Sequence, residues 1–403
     1  MTPKSSISTK MNIAQLKRIK QNFVQELQAA NAGKKTSLPF IVHKLSSAPI
    51  VRDGEVFEAL IIGGTILKRA LCKKVKDQIS ILEKERELPL EFKTENDFLK
   101  FIERELAKDV NVLALNFAYP LKPVFENGRL DGVLLAVTKE GGFHGLVGKK
   151  VGGEIERYIF KKRNKKIRVC VANDTICLLM SGITKYKWDD LAAGIVGTGF
   201  NIAFFLGRQK AVNLESANFD KFPQTKEGRI VDQNSAKPGR SLFEKETAGA
   251  YLYRHFNLII KERGISHPQI SSTEELNTLC HPEFISGSSF FRDAETASDG
   301  TSNVPVAFDC DAVKQVQHDR GKVSQIAKDL IKRSAQLVAC QIAGITEFMG
   351  RNMVFNMEGS LFWKGNGYRE TVEKTVKQLV PKYNVRFVEI ENSAILGAAK
   401  LVA

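Results

Sequence analysis

The stretch VCVANDTICLLMSG, residues 169–182, is apolar almost throughout, yet three polar residues stand side by side in its middle. Val169–Ala172 is typical of a short buried strand, and Ile176–Met180 of the start of an apolar helix. The polar residues between them are Asn173, Asp174 and Thr175. Two interpretations stay open at this point. Either an Asn or Asp side chain caps the helix, or the polar groups bind a ligand outside the carboxyl end of the strand, where open α/β sheets place their sites.

The composition is typical of a globular protein with more than one domain. The chain has 403 residues, of which 43% are hydrophobic and 26% are charged, and this length favours about two or three domains. No apolar run reaches the roughly 18 residues that a membrane span needs, and the first residues lack the apolar core of a secretion signal. We therefore expect a cytoplasmic protein that does not enter a membrane.

The six cysteines and six histidines are scattered along the chain, without a CxxC or HExxH motif. This spacing does not support a transition-metal site. Most of the cysteines stand in apolar surroundings, which favour buried and reduced thiols. A hard cation bound by oxygen atoms stays open.

The chain carries a formal net charge of +15, with basic clusters at Lys73–Lys76 and Lys161–Lys166. Such clusters either bind nucleic acid or form solvated faces that attract an anionic substrate such as a nucleotide. Because no nucleic-acid-binding motif accompanies them, we favour the second interpretation and expect no nucleic-acid partner.

Two hairpins with similar turns indicate two related lobes. Residues 58–74 (EALIIGGTILKRALCKK) and 191–207 (LAAGIVGTGFNIAFFLG) each place two apolar strands around a turn with glycine and threonine, although so short a similarity is a weak repeat signal. Mixed strands and helices favour an α/β protein. The other patterns predict helices over 11–31, 95–108, 243–262, 323–349 and 392–403, a strand over 111–119 and a polar, mobile loop over 286–303.

The glycine-threonine turns themselves have two interpretations. Glycine turns join strands in many proteins, but their exposed N–H groups also bind anionic oxygens, and a threonine adds a hydroxyl donor. Two such turns in one chain fit a phosphate chain held from both sides. The turns are Gly63-Gly64-Thr65 and Gly197-Thr198-Gly199.

Three further segments hold polar residues in apolar company. Each of these residues alone is typical of a solvated or capping position. Together they supply the carboxylates, amide, hydroxyl and cations that a polyhydroxylated ligand needs. The residues are Thr138, Lys139, Asn213, Glu215, Glu244 and Lys245.

The order of these motifs resembles the hexokinase family of sugar kinases, within the actin-like ATPase superfamily, from about residue 13 to the end of the chain. The matches are short but follow the family's order, which makes them specific as a set. They are SLPFIV (37–42), FEALIIGGT (57–65), LNFAYP (115–120), VTKEGGF (137–143), VANDT (171–175), IVGTGFN (195–201), VNLE (212–215), PGRSLFEKETAGAYL (238–252) and MEGSLF (357–362), followed by the terminal helix.

The resemblance implies an α/β, two-lobed hexokinase-like (actin-like ATPase) fold with a ligand cleft between a small and a large domain. The small domain is expected over residues 51–172, completed by the terminal helix 390–403. The large domain is expected over residues 173–389, joined by the N-terminal segment 1–50. The implied activity is transfer of the γ-phosphate of ATP to the 6-hydroxyl of a hexose, with glucose as the expected sugar. Mg²⁺ is expected to arrive with ATP, without direct protein ligands.

The resemblance also implies roles for the polar residues. Asp174 is expected to be the general base that faces the sugar hydroxyl, and Lys139 to stabilise the developing charge on the phosphoryl oxygens. The expected sugar contacts are Thr138, Lys139, Asn173, Asp174, Asn201, Glu215 and Glu244. The expected ATP contacts are Gly63, Gly64, Thr65, Gly197, Thr198, Gly199, Gly359 and Ser360.

Three departures separate this chain from the family pattern. Ile61 stands where the family has the aspartate of its first phosphate motif, which helps to position the water shell of the metal. Ala118 replaces a sugar-contacting serine, and 393–396 replaces a glycine-rich segment before the last helix. These departures keep a second interpretation open, namely a non-catalytic sugar-binding protein or sensor that retains the pocket but has lost efficient phosphoryl transfer.

Overall fold

The computed structural model describes residues 11–63, 67–83, 86–88, 93–137, 144–281 and 310–403, and for 86–88 and 310–318 it describes the backbone alone. Some of the predicted features lie outside the described residues. They are Gly64, Thr65, Thr138, Lys139 and the polar loop over 286–303.

Strands and helices are interspersed along the described chain. The α-helices are α1 (Ile13–Asn31), α2 (Glu95–Glu105), α3 (Val151–Arg163), α4 (Asp174–Gly182), α5 (Lys226–Gln233), α6 (Leu242–Thr247), α7 (Gly249–Glu262), α8 (Thr273–Thr278), α9 (Cys310–Met349), α10 (Ser360–Lys364), α11 (Tyr368–Leu379) and α12 (Ser393–Lys400). The strands are β1 (Ile41–Lys44), β2 (Val56–Ile62), β3 (Leu67–Val75), β4 (Gln78–Ile81), β5 (Arg86–Leu88), β6 (Val112–Phe117), β7 (Leu121–Glu126), β8 (Arg129–Leu134), β9 (Arg168–Ala172), β10 (Leu191–Val196), β11 (Phe200–Gly207), β12 (Lys210–Asn213), β13 (Met353–Glu358) and β14 (Val385–Val388).

Helix α1 has a cap at its start and a buried apolar face, and the sequence pattern predicts both of its ends. The side chains of Asn12 and Gln15 cap the first turn of α1 reciprocally. Leu16, Ile19 and Phe23 are spaced to share one face of this helix, and all three are buried. The cap and the apolar face together give α1 the bounds that the sequence predicts.

The single helix predicted over 243–262 is wrong. The structure has two helices there, α6 and α7, which meet at Ala248, where the backbone is extended with ψ 154°. The break lets the Gly249 N–H donate to the Gly197 carbonyl at 2.8 Å. This contact attaches the start of α7 to the second glycine-threonine turn. The helix predicted over 323–349 is longer than expected and begins at Cys310.

Two sheets share one strand order. The first sheet has the order β4-β3-β2-β6-β9, with β5 beside β3, and the second has the order β1-β12-β11-β10-β13-β14. In each sheet an antiparallel hairpin (β2–β3 or β10–β11) is followed by two strands parallel to its first strand. The predicted relation between the two hairpins therefore extends to five strands in each sheet.

Two helices, α4 and α12, form a layer between the sheets. Buried residues of both helices and of both sheets belong to one apolar cluster, which includes Ala59, Cys177, Ala193 and Ala398. Helices α1, α9 and α11 cover the opposite face of the second sheet, and α2 and α3 cover the opposite face of the first. The start of α4 therefore lies where the two halves of the molecule meet.

The five cysteines whose side chains are described are buried and form no disulfide. None of the described helices has the length and apolar character needed to cross a membrane.

Candidate active site

Asp174 begins helix α4 directly after strand β9. The Asn173 side chain caps this helix by accepting a hydrogen bond from the Ile176 N–H at 3.1 Å. Asp174 Oδ1 accepts a hydrogen bond from the Thr175 N–H at 2.7 Å, and Asp174 lines a large cavity. The two interpretations of this stretch are therefore compatible, because one residue caps the helix while the next one faces the cavity.

The cavity beside Asp174 has a volume of about 650 Å³. All of the predicted sugar contacts that the structure describes line it. They are Asn173, Asp174, Asn201, Glu215 and Glu244. Residues far apart in the sequence are thus brought to one concave space of the size used by small-molecule sites.

Hydrogen bonds between side chains fix the amide-rich wall of this cavity. Asn201 Nδ2 donates to Thr175 Oγ1 at 3.0 Å and to Asn213 Oδ1 at 2.8 Å. Asn213 Nδ2 in turn donates to Glu215 Oε1 at 2.8 Å. Because this chain of contacts joins α4 to β11 and β12, the side chains are positioned before any ligand binds.

Glu244 lies in the first turn of α6 and contacts the second glycine-threonine turn. Its Oε2 atom accepts a hydrogen bond from the Phe200 N–H at 3.0 Å. A Cβ atom at Gly199 would lie 3.0 Å from the same oxygen. Glycine at this position therefore leaves room for the carboxylate beside the turn.

The protein environment disfavours negative charge on Glu215 and Glu244. Burial raises the pKa of both carboxyl groups, and the hydrogen bonds from Asn213 and Phe200 act in the opposite direction. The negative charge of Asp174 raises the pKa of Glu215 further, and the charge of Glu215 does the same for Glu244. A ligand that donates hydroxyl hydrogen bonds would stabilise the ionised form of these groups.

A second cavity, of about 340 Å³, adjoins the first at Thr198 and Ala250, which line both. Among the predicted ATP contacts, Gly197, Thr198 and Ser360 line this second cavity. Residues 271–273 add a run of hydroxyl side chains to its wall. The molecule thus has two neighbouring spaces that share one glycine-threonine turn.

Close backbone packing holds the 197–199 turn in place. Gly359 approaches it from the end of β13 with a φ of +116°, a conformation that favours glycine. A Cβ atom at Gly359 would lie 2.2 Å from the Val196 carbonyl oxygen. The glycine predicted to contact ATP is therefore required by the packing of the two strands as well.

Sequence reasoning missed the ion pair that holds one wall of the larger cavity. Lys245 Nζ lies 2.5 Å from Asp232 Oδ1 and donates to the Lys237 carbonyl at 2.8 Å. The Asp232 carboxylate also accepts the Gly239 N–H at 3.0 Å. These contacts attach the loop 235–241 to α5 and α6. Lys245 stands out in the sequence as a cation in apolar company, but no local pattern identifies Asp232 as its partner.

The three departures from the family pattern have different surroundings. Ile61 is 8% exposed and belongs to the apolar layer between the sheets. Ala118 lines the larger cavity. Ser393 begins α12, and its Oγ donates to Glu358 Oε2 at 3.3 Å. The replaced segment therefore contacts the end of β13, next to the smaller cavity.

Two models of the hexokinase family match the chain, over residues 5–184 and 191–403. Hexokinase-1 of Saccharomyces cerevisiae is 24% identical over 435 residues, which cover 96% of this chain and 88% of that protein. Hexokinase-1 of Nicotiana tabacum is 25% identical over 455 residues, which cover 97% of this chain and 88% of that protein.

Solved structures show the same fold. A hexokinase from Schistosoma mansoni, complexed with glucose, matches with a TM-score of 0.75 at 19% identity, covering 98% of this chain and 96% of that chain. A ROK hexokinase from Thermus thermophilus matches with a TM-score of 0.54 at 15% identity, covering 86% of this chain and 98% of that chain. The predicted two-lobed α/β fold is thereby confirmed. Since the two family models together match nearly the whole chain, the protein belongs to the hexokinase family.

Proposed function

We propose that the protein is an ATP-dependent hexokinase that transfers the γ-phosphate of ATP to the 6-hydroxyl of a hexose, with glucose as the expected sugar. The observation that supports this most directly is the position of Asp174. It lines the larger cavity, which adjoins the smaller one at the 197–199 turn. The larger cavity would hold the hexose and the smaller one the adenosine end of ATP, so that the phosphate chain crosses the turn.

In this proposal Asp174 is the general base. A carboxylate within hydrogen-bond reach of the 6-hydroxyl takes its proton as the hydroxyl oxygen attacks the γ-phosphorus, an effect typically worth about 10²–10⁴-fold in rate. The N–H and the hydroxyl group of Thr175 both donate to Asp174 Oδ1, at 2.7 and 3.2 Å. These two contacts fix the direction of the carboxylate, which supports a role that depends on alignment.

The other groups of the site would bind the two substrates. Glu215 and Glu244 would accept hydrogen bonds from sugar hydroxyls. The backbone N–H groups of the 197–199 turn, together with Lys139, would stabilise the charge that develops on the phosphoryl oxygens. Gly359 and Ser360 would lie beside the adenosine.

The described residues fit a Mg²⁺ ion that arrives with ATP. No three His, Cys, Asp or Glu side chains in the described part of the chain converge on a position that would hold a metal by themselves. The Asp174 carboxylate lies in the cleft, and Mg²⁺ usually keeps several waters while it binds through one or two carboxylates and substrate phosphates. When bound, the ion would neutralise charge on the phosphates.

A coupled assay of ADP release against a panel of hexoses tests the proposal. We expect release that depends on both the sugar and Mg²⁺ and is fastest with glucose. The alternative is a sugar sensor without efficient phosphoryl transfer, which the apolar surroundings of Ile61 favour. Sugar binding by calorimetry without ADP release, at any Mg²⁺ or Mn²⁺ concentration, would leave only the sensor.

Glu244→Gln should weaken hexose binding by about tenfold to a hundredfold, because a hydrogen bond to a charged group is worth about 1.5–3 kcal/mol. The same variant should gain stability relative to wild type as the pH rises. Burial raises the pKa of the Glu244 carboxyl group, so the folded state binds this proton more tightly than the unfolded state. Wild-type stability therefore falls as the pH rises through the raised pKa, and the glutamine removes this loss.

The measurements are sugar titration by calorimetry and thermal unfolding at about pH 5 and about pH 8. Glu370→Gln, at an exposed position of α11, is the matched control. An unchanged hexose affinity together with a lower melting temperature would assign Glu244 to the fold instead of the sugar.

Ile61→Asp should lower the Mg²⁺ concentration that gives a half-maximal rate. Wild type is expected to need Mg²⁺ well beyond the amount that saturates ATP, since isoleucine cannot accept hydrogen bonds from water on the metal. The fold must tolerate a carboxylate at a position that is 8% exposed, where an unpaired charge lowers the stability of the protein. Folding is therefore checked by circular dichroism before the Mg²⁺ titration, and an unchanged Mg²⁺ requirement in a folded variant would contradict the expectation.

A further inference from the structure

One row of paired residues crosses the first sheet at the carboxyl ends of its parallel strands. In the strand register Lys68 pairs with Ile61, Ile61 with Asn116, and Asn116 with Ala172. Residues paired across neighbouring strands share one face of a sheet. Ile61 and Ala172 belong to the apolar layer between the sheets, so this is the face that Asn116 shares. Asp174 follows two residues after the last member of this row.

The side-chain oxygen of Asn116 is a buried acceptor without a hydrogen-bond donor in the described part of the chain. The residue is 3% exposed, and its Oδ1 atom has no hydrogen-bond partner among the described residues. Asn213, which is 2% exposed, has both of its amide atoms in hydrogen bonds. A buried acceptor without a donor destabilises the folded state, because its lost hydrogen bonds to water are not replaced. An apolar residue would suit this position in the strand better, unless a bound ligand or its water donates to the amide.

Glu358 approaches the same row from the second sheet. It ends strand β13, where it pairs with Ile195, a residue that lines the larger cavity. The residue is exposed, and its carboxylate accepts a hydrogen bond from Ser393 Oγ at 3.3 Å. The residues that follow it, Gly359 and Ser360, lead to the smaller cavity. Glu358 therefore lies between the space proposed for the sugar and the space proposed for the nucleotide.

The charges at both ends of the row act on the carboxyl group of Glu358. Although part of the residue is exposed, nearby protein atoms desolvate its carboxyl group and raise the pKa of this group, the charge of Asp174 raises the pKa further, and the charge of Lys68 lowers it. Lys68 begins the row and Asp174 follows its end, so these charge effects agree with the position of Glu358 that the strand pairing and the two cavities indicate. Asn116 lies inside that row, between Ile61 and Ala172, and is polar.

We propose that Asn116, from the first sheet, and Glu358, from the second, hold the water shell of the Mg²⁺ ion that accompanies ATP. Waters on Mg²⁺ donate hydrogen bonds, and both side chains offer oxygen acceptors. The proposal rests on the proposed kinase function and deepens it. It explains how the cleft serves a metal–nucleotide complex although Ile61 accepts no hydrogen bond. Neither residue contacts the metal or takes part in proton transfer, so both are positioning residues.

The test measures ATP binding by calorimetry, with Mg²⁺ and in the presence of a chelator. Asn116→Leu keeps the size of the side chain and removes the acceptor, and Glu358→Gln removes the charge. Loss of a residue that orients a metal's surroundings typically lowers metal affinity by about 10–100-fold. We therefore expect each variant to bind ATP about tenfold more weakly when Mg²⁺ is present and with unchanged or higher affinity in chelator. Glu389→Gln, an exposed carboxylate whose charge also raises the pKa of Glu358, is the matched control and should bind as wild type does.

Two results would overturn this inference. One is an equal loss of ATP affinity with and without Mg²⁺, which would show that the residues contact the nucleotide or support the fold. The other is an unchanged affinity under both conditions. If Asn116→Leu does not fold, Asn116→Ala answers the same question, and Ile61→Asp in the Glu358→Gln background should restore the Mg²⁺-dependent part of the affinity. Sugar-dependent ADP release is measured separately, so its absence would end the kinase proposal while the binding data still decide this one.

Discussion

Asp174→Ala should lower hexose phosphorylation by about 10²–10⁴-fold, the range by which general bases usually contribute, while hexose binding changes little. The carboxylate lies at the start of α4 and lines the larger cavity, but the wall of that cavity is built by other side chains. The Asn201–Asn213–Glu215 contacts do not include Asp174. Removal of the base should therefore act on turnover and leave the pocket in place.

The experiment compares turnover with hexose affinity from calorimetry for three variants. Asp174→Asn keeps the size of the side chain but cannot take the proton, so it should be nearly as slow as the alanine variant. Asp220→Ala removes an exposed carboxylate that pairs with Lys221, and it should turn over as wild type does. If Asp174→Ala still binds hexose and turns over within a few-fold of wild type, Asp174 is not the general base and belongs only to the first turn of α4.

The position of Asp174 was predictable because its signal is local. A short apolar strand, three polar residues and an apolar helix follow one another within 14 residues, and a strand that leads into a helix places such residues at the edge of a sheet. The two glycine-threonine hairpins are local signals as well. The first forms the antiparallel pair β2–β3 of one sheet, and the second forms the antiparallel pair β10–β11 of the other. Patterns of this kind depend on neighbouring residues only, so the sequence carries them in full.

Features that depend on contacts between distant segments were not predictable. The helix break at Ala248 accompanies a hydrogen bond between Gly249 and Gly197, which the composition of 243–262 does not reveal. Asn116 is one polar residue in the apolar stretch LALNFAY, and only the pairing of β6 with β2 places it beside Ile61. The roles proposed for Lys139 and for Thr65 stay predictions, because these residues lie outside the described part of the chain.

Gly397→Ala should destabilise the protein strongly, because the added methyl group meets the backbone of a neighbouring helix. Gly397 lies in α12 and faces α4, where a Cβ atom would lie 1.9 Å from the Cys177 carbonyl oxygen and 2.5 Å from its carbonyl carbon. The obstacle is backbone, which cannot rotate away as a side chain can. Overpacking of a core typically costs about 1–3 kcal/mol, and a clash with backbone should lie at the upper end of that range or beyond it.

The same substitution should lower turnover even in molecules that remain folded. Cys177 follows Asp174 by one helical turn, and its N–H donates to the Asn173 carbonyl at 3.0 Å. A methyl group that pushes α12 away from α4 should therefore shift the start of α4, and a displacement of about 1 Å at a reacting group typically costs about 10²-fold in rate. We expect both a lower melting temperature and a lower kcat, measured by thermal unfolding and by the coupled assay.

Gly321→Ala is the matched control, because it adds the same methyl group to a helix at a position where, apart from its own stretch of helix, no atom of the described residues lies within 4 Å of the new Cβ. Alanine is favoured over glycine in a helix by about 0.5–1 kcal/mol, so this variant should be slightly more stable than wild type, with unchanged turnover. If Gly397→Ala lowers the stability of the protein while Gly321→Ala raises it, the contact between α4 and α12, and not helix propensity, decides the result at Gly397. If Gly397→Ala has the melting temperature and the kcat of wild type, the two helices are not held at the separation that the structure shows. The alignment of Asp174 then does not depend on α12.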